Sequence, residues 1–133
     1  PGNLGTILRT ADALAVPVVL LPGCADVWNP KVVRASMGAA FRAVPVSMTR
    51  EAAVASCRAN GVRLLATALR ADAHDLREEA LSQTAVIIGS EGQGVCRELL
   101  DAADGTVIIP MQSHCESLNA AVAATIVMWQ MRR

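Results

Sequence analysis

The sequence predicts an α/β fold in which helices flank a mostly parallel sheet. Short apolar runs that end at Gly or Pro alternate with segments whose apolar residues recur every three or four positions, which is the pattern of strands followed by helices. The 133 residues match the usual size of one domain. The 53% apolar residues exclude a disordered chain, and no apolar run approaches the roughly 18 residues of a membrane span.

The predicted strands are short apolar runs bounded by turn residues. Pro22-Gly23 closes the first predicted strand. Pro45 lies within the second and indicates either that this strand is near a sheet edge or that Pro45 is near its start. The fourth runs into a glycine-rich turn, and Pro110 ends the fifth. These strands are residues 18–21, 44–48, 63–68, 85–89 and 106–109.

The predicted helices have apolar residues at helical spacing and are interleaved with these strands. Asn3 is expected to cap the first, Gly38 lies near the end of the second, and Thr49 is expected to cap the third. These helices are residues 4–14, 30–40, 49 to about 61, 95–102 and 117–131.

The last predicted helix has almost no polar face, because apolar residues such as Val122, Ile126 and Trp129 surround it. A helix that is apolar all round is either buried on every side or packed in a subunit interface. For the last helix of a small domain, we favour the interface.

Charge is distributed unevenly although the formal net charge is +0. Residues 1–50 contain five basic and two acidic residues, whereas residues 51–133 contain seven basic and ten acidic ones. An anionic partner is therefore expected to meet the first third of the chain, where Lys31, Arg34 and Arg42 lie. Chance would produce the same asymmetry in counts this small.

The cysteines and the first residues indicate the cellular compartment of the protein and whether the sequence is a fragment. None of the four cysteines lies at metal-clamp or C-x-x-C spacing, so we expect free thiols in a reducing compartment and no metal site. No secretion leader is present, which favours the cytoplasm. The chain begins without Met directly at a helix start, which indicates an internal fragment.

The first candidate motif is Asn3-x-Gly5-x-x-x-Arg9. Arg9 stands off the apolar stripe of its helix, and its planar guanidinium suits phosphate. The alternative is a surface arginine paired with Asp12 one turn later.

Two further motifs follow predicted strands. The glycines of residues 87–94 let the backbone approach a ligand closely, and Glu91 disfavours a phosphate there. Residues 109–119 form a loop that ends in Ser117 and Asn119 at a helix start. A plain tight turn and ordinary helix capping are the respective alternatives.

These segments and their order resemble the SpoU family of RNA 2′-O-ribose methyltransferases in the SPOUT superfamily. The first reads PGNLGTILRTA, the second VIIGSEGQGV and the third IPMQSHCESLNAAVAA, and residues 34–41 also match a family segment. The likeness covers essentially the whole chain. It departs from the family pattern at Ser113-His114-Cys115, where glycine is common, and at Ala120, where valine is common.

The resemblance implies a deep C-terminal trefoil knot, S-adenosylmethionine as cofactor and a homodimer packed through the last helix. It also implies that the family's first strand and any N-terminal RNA-binding domain are missing from residues 1–133. The implied catalytic residues are Asn3, Arg9, Glu91, Ser117 and Asn119. The implied cofactor residues are Thr67, Gly89, Ile109, Met111 and Leu118. The expected RNA-binding residues are Arg9, Lys31, Arg34 and Arg42.

The leading hypothesis is therefore S-adenosylmethionine-dependent methylation of a ribose 2′-OH in rRNA or tRNA. The alternative is a knotted RNA-binding or dimerisation module without turnover, which the presence of the implied catalytic residues disfavours. A third possibility, a small nucleotide-binding α/β protein, is weakened by Glu91 and by the lack of a phosphate-loop lysine.

Overall fold

The computed structural model describes residues 2–68, 70, 72–90, 93–113, 115 and 118–132. The helices are α1 (Gly2–Leu14), α2 (Pro30–Ala35), α3 (Ala39–Arg42), α4 (Arg50–Ala59), α5 (Arg97–Ala102) and α6 (Ala120–Arg132), with a 3₁₀ turn at Leu76–Glu78. The strands are β1 (Val19–Leu20), β2 (Val46–Ser47), β3 (Arg63–Thr67), β4 (His74–Asp75), β5 (Thr84–Ile87) and β6 (Gly105–Ile108). Strands and helices thus alternate as predicted, except that α3 follows α2 and β4 follows β3.

The strands form two sheets, in which every strand pair is parallel. β1 pairs with β2, and the larger sheet has the order β4-β6-β3-β5. The predicted α/β class with parallel strands is confirmed. Because the carboxyl ends of parallel strands meet at one edge, the residues that follow β3, β5 and β6 come together there.

The single helix predicted over residues 30–40 is wrong, because a turn separates α2 from α3. Met37 and Gly38 have φ angles of 53° and 88°, in the left-handed region that a right-handed helix does not continue through. Ser36 is fully buried at this turn, and its Oγ accepts a hydrogen bond from the backbone N–H of Ala40. The turn between α2 and α3 is therefore stabilised by the buried side chain of Ser36.

The helices that carry the first and third motifs begin at other residues than predicted. α1 already includes Asn3, which lies in its first turn and does not cap it. α6 begins directly after Asn119 and not at Ser117. The Oδ1 of Asn119 accepts hydrogen bonds from the backbone N–H groups of Ala121 and Val122, at 2.9 and 3.3 Å. Asn119 is therefore the capping residue of α6.

The sequence does not predict strand β4. His74 and Asp75 pair in parallel with Val107 and Ile108 of β6. Because β4 consists of two polar residues beside further charged ones, no apolar run marks it. It forms one edge of the larger sheet.

Helix α1 contributes to two of the clusters of buried side chains that form the core. Leu8 packs with Val32 of α2 on one side, and Ala11 packs with Ala124 and Met128 of α6 on the other. Gly5 lies so close to α2 that an added Cβ would meet the Cβ of Ala35 and lie 2.8 Å from the carbonyl oxygen of Val32. Glycine at this position therefore sets the spacing between α1 and α2.

Helix α6 buries one side and exposes the other. Ala121, Ala124, Val127 and Met128 are buried against α1 and the sheet. Val122, Ile126 and Trp129 are 49%, 38% and 62% exposed. These three residues, spaced four and three apart, form an apolar stripe on the outer side of the helix. We refer to them below as the outer stripe of α6.

The helices in the described ranges are all too short or too polar to cross a bilayer.

All four cysteines are described and are free thiols, of which Cys57 is half-buried. Burial, together with the nearby carboxylate of Asp104, raises the pKa of the Cys57 thiol. This thiol is therefore held in its protonated form.

Candidate functional site

An open groove of about 770 Å³ lies between the N-terminal halves of α1 and α6. Asn3 and Thr6 of α1 line it, together with Asn119, Val122 and Ile126. The Nδ2–H of Asn119 donates a hydrogen bond to the Oδ1 of Asn3 at 3.1 Å. Two predicted catalytic residues that are 116 positions apart in the sequence therefore lie side by side.

The cap of α6 fixes the orientation of the Asn119 amide. Its Oδ1 already accepts the two backbone hydrogen bonds of the cap, so its Nδ2 is the end that faces Asn3. An asparagine carries an acceptor and a donor on one group, and here both ends are used. The start of α6 and the groove are thus joined through a single side chain.

Arg9 is exposed on the part of α1 that continues from the groove. It lies three residues, or about one helical turn, beyond the groove residue Thr6. The alternative pairing of Arg9 with Asp12 is not formed, because the Oδ2 of Asp12 lies 2.8 Å from a terminal nitrogen of Arg42. Within the described ranges, Arg9 has no ion-pair partner.

The other predicted RNA-binding residues fall into two groups. Lys31 and Arg34 are exposed at three-residue spacing on the same side of α2. Arg42 is held against the fold, because it pairs with Asp12 and also donates a hydrogen bond to the carbonyl oxygen of Met37 at 3.3 Å. Its guanidinium ties α3 to α1.

The predicted cofactor residues lie at the carboxyl edge of the larger sheet or just before α6. The Oγ of Thr67, the last residue of β3, donates a hydrogen bond to the carbonyl oxygen of Ile87 at 3.0 Å, which ties the ends of β3 and β5 together. Ile109 and Met111 follow β6 and are half-buried, as is Leu118 ahead of α6. The edge is therefore lined by partly covered apolar side chains.

Gly89 lies under its own loop. A Cβ added at Gly89 would meet the carbonyl carbon of Gly94 and the backbone nitrogen of Val95. Ser90 and Gly94 form an antiparallel bridge, with the N–H of Gly94 donating to the carbonyl oxygen of Ser90 at 2.8 Å. Glycine is required at position 89 because the backbone of Gly94 and Val95 leaves no room for a Cβ there.

Two predicted catalytic residues, Glu91 and Ser117, lie outside the described residues. Of the predicted catalytic set, the structure brings together Asn3 and Asn119, with Arg9 farther along α1. It separately brings Thr67 and Gly89 to one sheet edge with Ile109.

The structure contains an ion cluster around Glu79 that the sequence does not predict. The Oε1 of Glu79 lies 2.7 Å from the Nδ1 of His74, and its Oε2 lies 3.1 Å from a terminal nitrogen of Arg63. The hydrogen bond with His74 and the pairing with Arg63 lower the pKa of the Glu79 carboxyl. The amide nitrogen of Gln130 donates to the backbone oxygen of Glu79 at 3.1 Å, so the cluster also holds α6.

Comparison with known proteins gives closely similar sequences. The sequence model of the SpoU rRNA Methylase family matches residues 1–129. Over 133 residues the chain is 38% identical to a Bacillus subtilis protein, the 23S rRNA (guanosine(2553)-2′-O)-methyltransferase RlmP. That match covers 99% of this chain and 54% of the relative.

Solved structures share the fold. An AdoMet-bound rRNA methyltransferase from Sinorhizobium meliloti superposes with a TM-score of 0.92 at 35% identity, over 99% of this chain and 51% of that one. The SpoU methyltransferase AviRb from Streptomyces viridochromogenes, in complex with AdoMet, gives 0.87 at 34% identity, over 99% and 55%. The chain thus spans about half the length of each of these three relatives. Since the family match extends over nearly all of its residues, this chain belongs to the SpoU rRNA methylase family.

Proposed function

We propose that this chain is the catalytic domain of an enzyme that transfers a methyl group from S-adenosylmethionine to a ribose 2′-OH of rRNA or tRNA. The observation that carries the proposal is the hydrogen bond between Asn3 and Asn119, because it joins the first and third motifs in one groove near Arg9. The named activity of the Bacillus subtilis relative supports the reaction. A substrate of this class is consistent with the expected cytoplasmic location.

The residues at the sheet edge fit S-adenosylmethionine. Half-buried Ile109, Met111 and Leu118 offer an apolar surface for the adenine ring, and the backbone beyond the strand ends offers hydrogen bonds. Thr67 fixes the ends of β3 and β5, so the floor of such a site is rigid. When bound, the cofactor supplies an electrophilic methyl group. The AdoMet complexes of two relatives support this assignment.

The side chains of this chain would position the RNA. A ribose 2′-OH is a weak nucleophile, so its placement in line with the methyl donor supplies much of the acceleration. Asn3 and Asn119 would orient the hydroxyl, with Glu91 and Ser117 completing the set. Arg9 would hold the neighbouring phosphate through its planar fork. Because arginine does not deprotonate in proteins, the proton would leave to that phosphate or to water.

We propose a two-fold dimer that packs through α6, and the trefoil knot of the family. The outer stripe of α6 supports the dimer, because three apolar side chains lie exposed along one side of the helix. The groove beside α1 is continuous with that stripe, since Val122 and Ile126 belong to both. The knot is supported by family membership alone.

The proposed enzyme is longer than this chain. The chain spans 54% of the Bacillus subtilis relative, and we propose that the enzyme carries a further RNA-binding domain in addition to these residues. Within the described strands, β1, β2, β4 and β5 each pair with one neighbour. One of these open edges would accept the strand that the family has ahead of the first motif.

The test uses the full-length protein with tritiated S-adenosylmethionine and with rRNA and tRNA from a strain that lacks the gene. Label should enter one RNA class, and ribose-methylation mapping should locate it at a 2′-OH. RNA binding without transfer would favour the non-catalytic module. Calorimetry that shows binding of ATP but not of S-adenosylmethionine would favour a nucleotide-binding protein.

A further inference from the structure

The aromatic side chains of this protein all lie at its surface. The chain has two tryptophans, one phenylalanine and no tyrosine. Trp28, Phe41 and Trp129 are 50%, 66% and 62% exposed. The core is built from leucine, valine, alanine and methionine, so packing inside the domain does not account for any of the rings. Exposed aromatic rings are costly in water and are typical of binding surfaces.

Two of the rings form a pair. The ring centroids of Trp28 and Phe41 are 5.5 Å apart, and their planes are tilted by 40°. The pair joins the loop before α2 to α3. Because both residues remain at least half exposed in this contact, ring surface is left for a partner.

The sequence around this pair has more positive than negative charge. From Val27 to Arg50 it has no Asp or Glu and has four cations, Lys31, Arg34, Arg42 and Arg50, and the acidic residue that precedes this range is Asp26. Arg42 is neutralised by Asp12, but Lys31 and Arg34 have no ion-pair partner in the described ranges. Lys31 follows Trp28 by three residues. Aromatic rings and unpaired cations within one short segment of the chain match a nucleic-acid strand, which offers both flat bases and phosphates.

The third ring provides a contrast. Trp129 lies on the outer stripe of α6 with Val122 and Ile126, so its neighbours are apolar. Such a surface suits a second protein subunit. The Trp28–Phe41 pair differs by the cations near it in the sequence, of which Lys31 is a residue type that is depleted in subunit interfaces.

The backbone holds Trp28 in place before any partner arrives. Its N–H donates to the Oδ1 of Asp26 at 3.0 Å, and the N–H of Asn29 donates to the carbonyl oxygen of Asp26 at 3.0 Å. Asn29 in turn caps α2 by accepting from the N–H of Lys31 at 2.9 Å. A backbone fixed in this way loses little conformational entropy on binding.

We propose that Trp28 and Phe41 form a stacking platform for an unpaired base of the RNA substrate, with Lys31 and Arg34 on the adjoining phosphates. The inference rests on the proposed RNA methyltransferase function and adds a substrate contact outside the groove. A base that stacks here would be held by its π-face, whatever its identity. The platform thus contributes affinity for unpaired RNA and not sequence specificity.

The test compares variants of the full-length protein by fluorescence anisotropy with a fluorescein-labelled 12-nucleotide single-stranded RNA of mixed sequence. Trp28→Leu keeps an apolar side chain but removes the stacking ring, and we expect it to weaken binding about 5- to 100-fold, the effect of losing one stacked base. Trp28→Phe should retain most of the affinity. Phe41→Leu serves as a second variant of the platform.

Salt dependence separates the two parts of the surface. Trp28→Leu should leave the slope of log affinity against log salt unchanged, whereas Lys31→Ala should reduce it by about one. The matched control is Arg97→Ala, which removes an exposed cation from α5 and should change neither affinity nor slope. Thermal melting confirms that each variant is folded.

Several outcomes would overturn the platform. The first is that the wild-type protein does not bind this RNA. The second is that Trp28→Leu binds it with wild-type affinity, and the third is that Trp28→Phe and Trp28→Leu lose equal affinity for it. Dissociation of the dimer by Trp28→Leu at unchanged RNA affinity would assign the pair to a protein contact instead. Methylation of rRNA by Trp28→Leu with an unchanged KM for RNA would overturn the platform and leave the proposed function standing. Absence of methylation in the wild-type protein would contradict the proposed function, and the binding experiment would still decide on the platform.

Discussion

Arg9 lies off the side of α1 that packs into the core, so its truncation opens no cavity. We expect Arg9→Ala in the full-length protein to slow single-turnover methylation of RNA about 10²–10³-fold, the usual cost of one lost preorganised contact. Affinity for S-adenosylmethionine and the melting temperature should not change. Arg9→Lys should recover little, because an ammonium does not reproduce the guanidinium fork. A near-normal rate in Arg9→Ala would contradict a role in positioning the substrate.

Gly89 is the second residue whose substitution gives a defined result. Gly89→Ala places a Cβ against the backbone of Gly94 and Val95, which cannot move aside as a side chain can. We expect a loss of about 1–3 kcal/mol in the free energy of unfolding, as for overpacking elsewhere, and weaker S-adenosylmethionine binding in calorimetry. The matched control is Gly105→Ala, whose Cβ would lie 3.4 Å from the Cδ2 of Leu65 in ordinary contact. Equal effects of the two substitutions would show that the loop tolerates a side chain.

At the scale of elements, Glu79 joins β3, β4 and α6 and makes their packing depend on pH. The pKa of its carboxyl is lowered from the usual 4.5, mainly by the hydrogen bond with His74 and further by Arg63. A carboxyl whose pKa is lower in the folded than in the unfolded state stabilises the fold above its unfolded pKa, and this contribution disappears as the pH falls through the folded value. Stability should therefore begin to decline as the pH drops below about 4.5.

The measurement is thermal melting against pH for the wild-type protein and for Glu79→Gln. The variant should melt at a lower temperature at neutral pH, and the difference should shrink as acid protonates the wild-type carboxyl. Glu78→Gln, a change in the adjacent exposed residue, is the control. A difference between Glu79→Gln and the wild-type protein that stays constant with pH would contradict the role of the carboxylate.

Helix α6 carries the prediction about assembly. Val122→Glu would place a charge on the outer stripe, where the proposed interface would bury it without a partner. Sedimentation equilibrium of the full-length variant should report a monomer. Ala55→Glu, which puts the same charge at an exposed position of α4, should leave the dimer intact. The dimer is refuted if the wild-type protein is already monomeric at micromolar concentration.

Most elements could be predicted from local patterns, and the exceptions have a physical cause. The strands that became β3, β5 and β6 are apolar runs closed by turn residues, so short-range signals suffice. The break between α2 and α3 depends on Ser36, whose hydroxyl is satisfied only within the folded turn. The strand β4 forms by pairing with β6, and its two polar residues give no sequence pattern that predicts this pairing.

Asn119 connects α1 with the start of α6. Asn119→Asp keeps an oxygen for the cap of α6 but removes the N–H that binds Asn3. We expect its melting temperature to stay near that of the wild-type protein while methylation of RNA falls. Asn119→Ala also loses the cap and should cost about 1 kcal/mol of stability in addition. Full activity of Asn119→Asp would show that the bond between the two asparagines does not matter for turnover.

The tertiary contacts of the candidate site are the part that the sequence does not predict. The three motifs and their residues were evident in the sequence, because glycine turns and polar helix starts leave a short-range signature. Sequence spacing did not reveal that Asn119 contacts Asn3, or that the Gly89 loop covers its own glycine, since both depend on tertiary contacts. The exposure of Trp28 and Phe41 likewise depends on tertiary packing and has no short-range signature.

The exclusively parallel pairing of the two sheets has a kinetic consequence. No tight hairpin can close a parallel pair, so each pair forms only after an intervening segment of a dozen or more residues has been ordered. Chains dominated by such distant contacts fold in milliseconds to seconds, slower than helical bundles of equal stability. During that interval the apolar runs of β3, β5 and β6 are exposed to other chains. Yield on refolding from urea should therefore fall as protein concentration rises, even in variants whose final stability is unchanged.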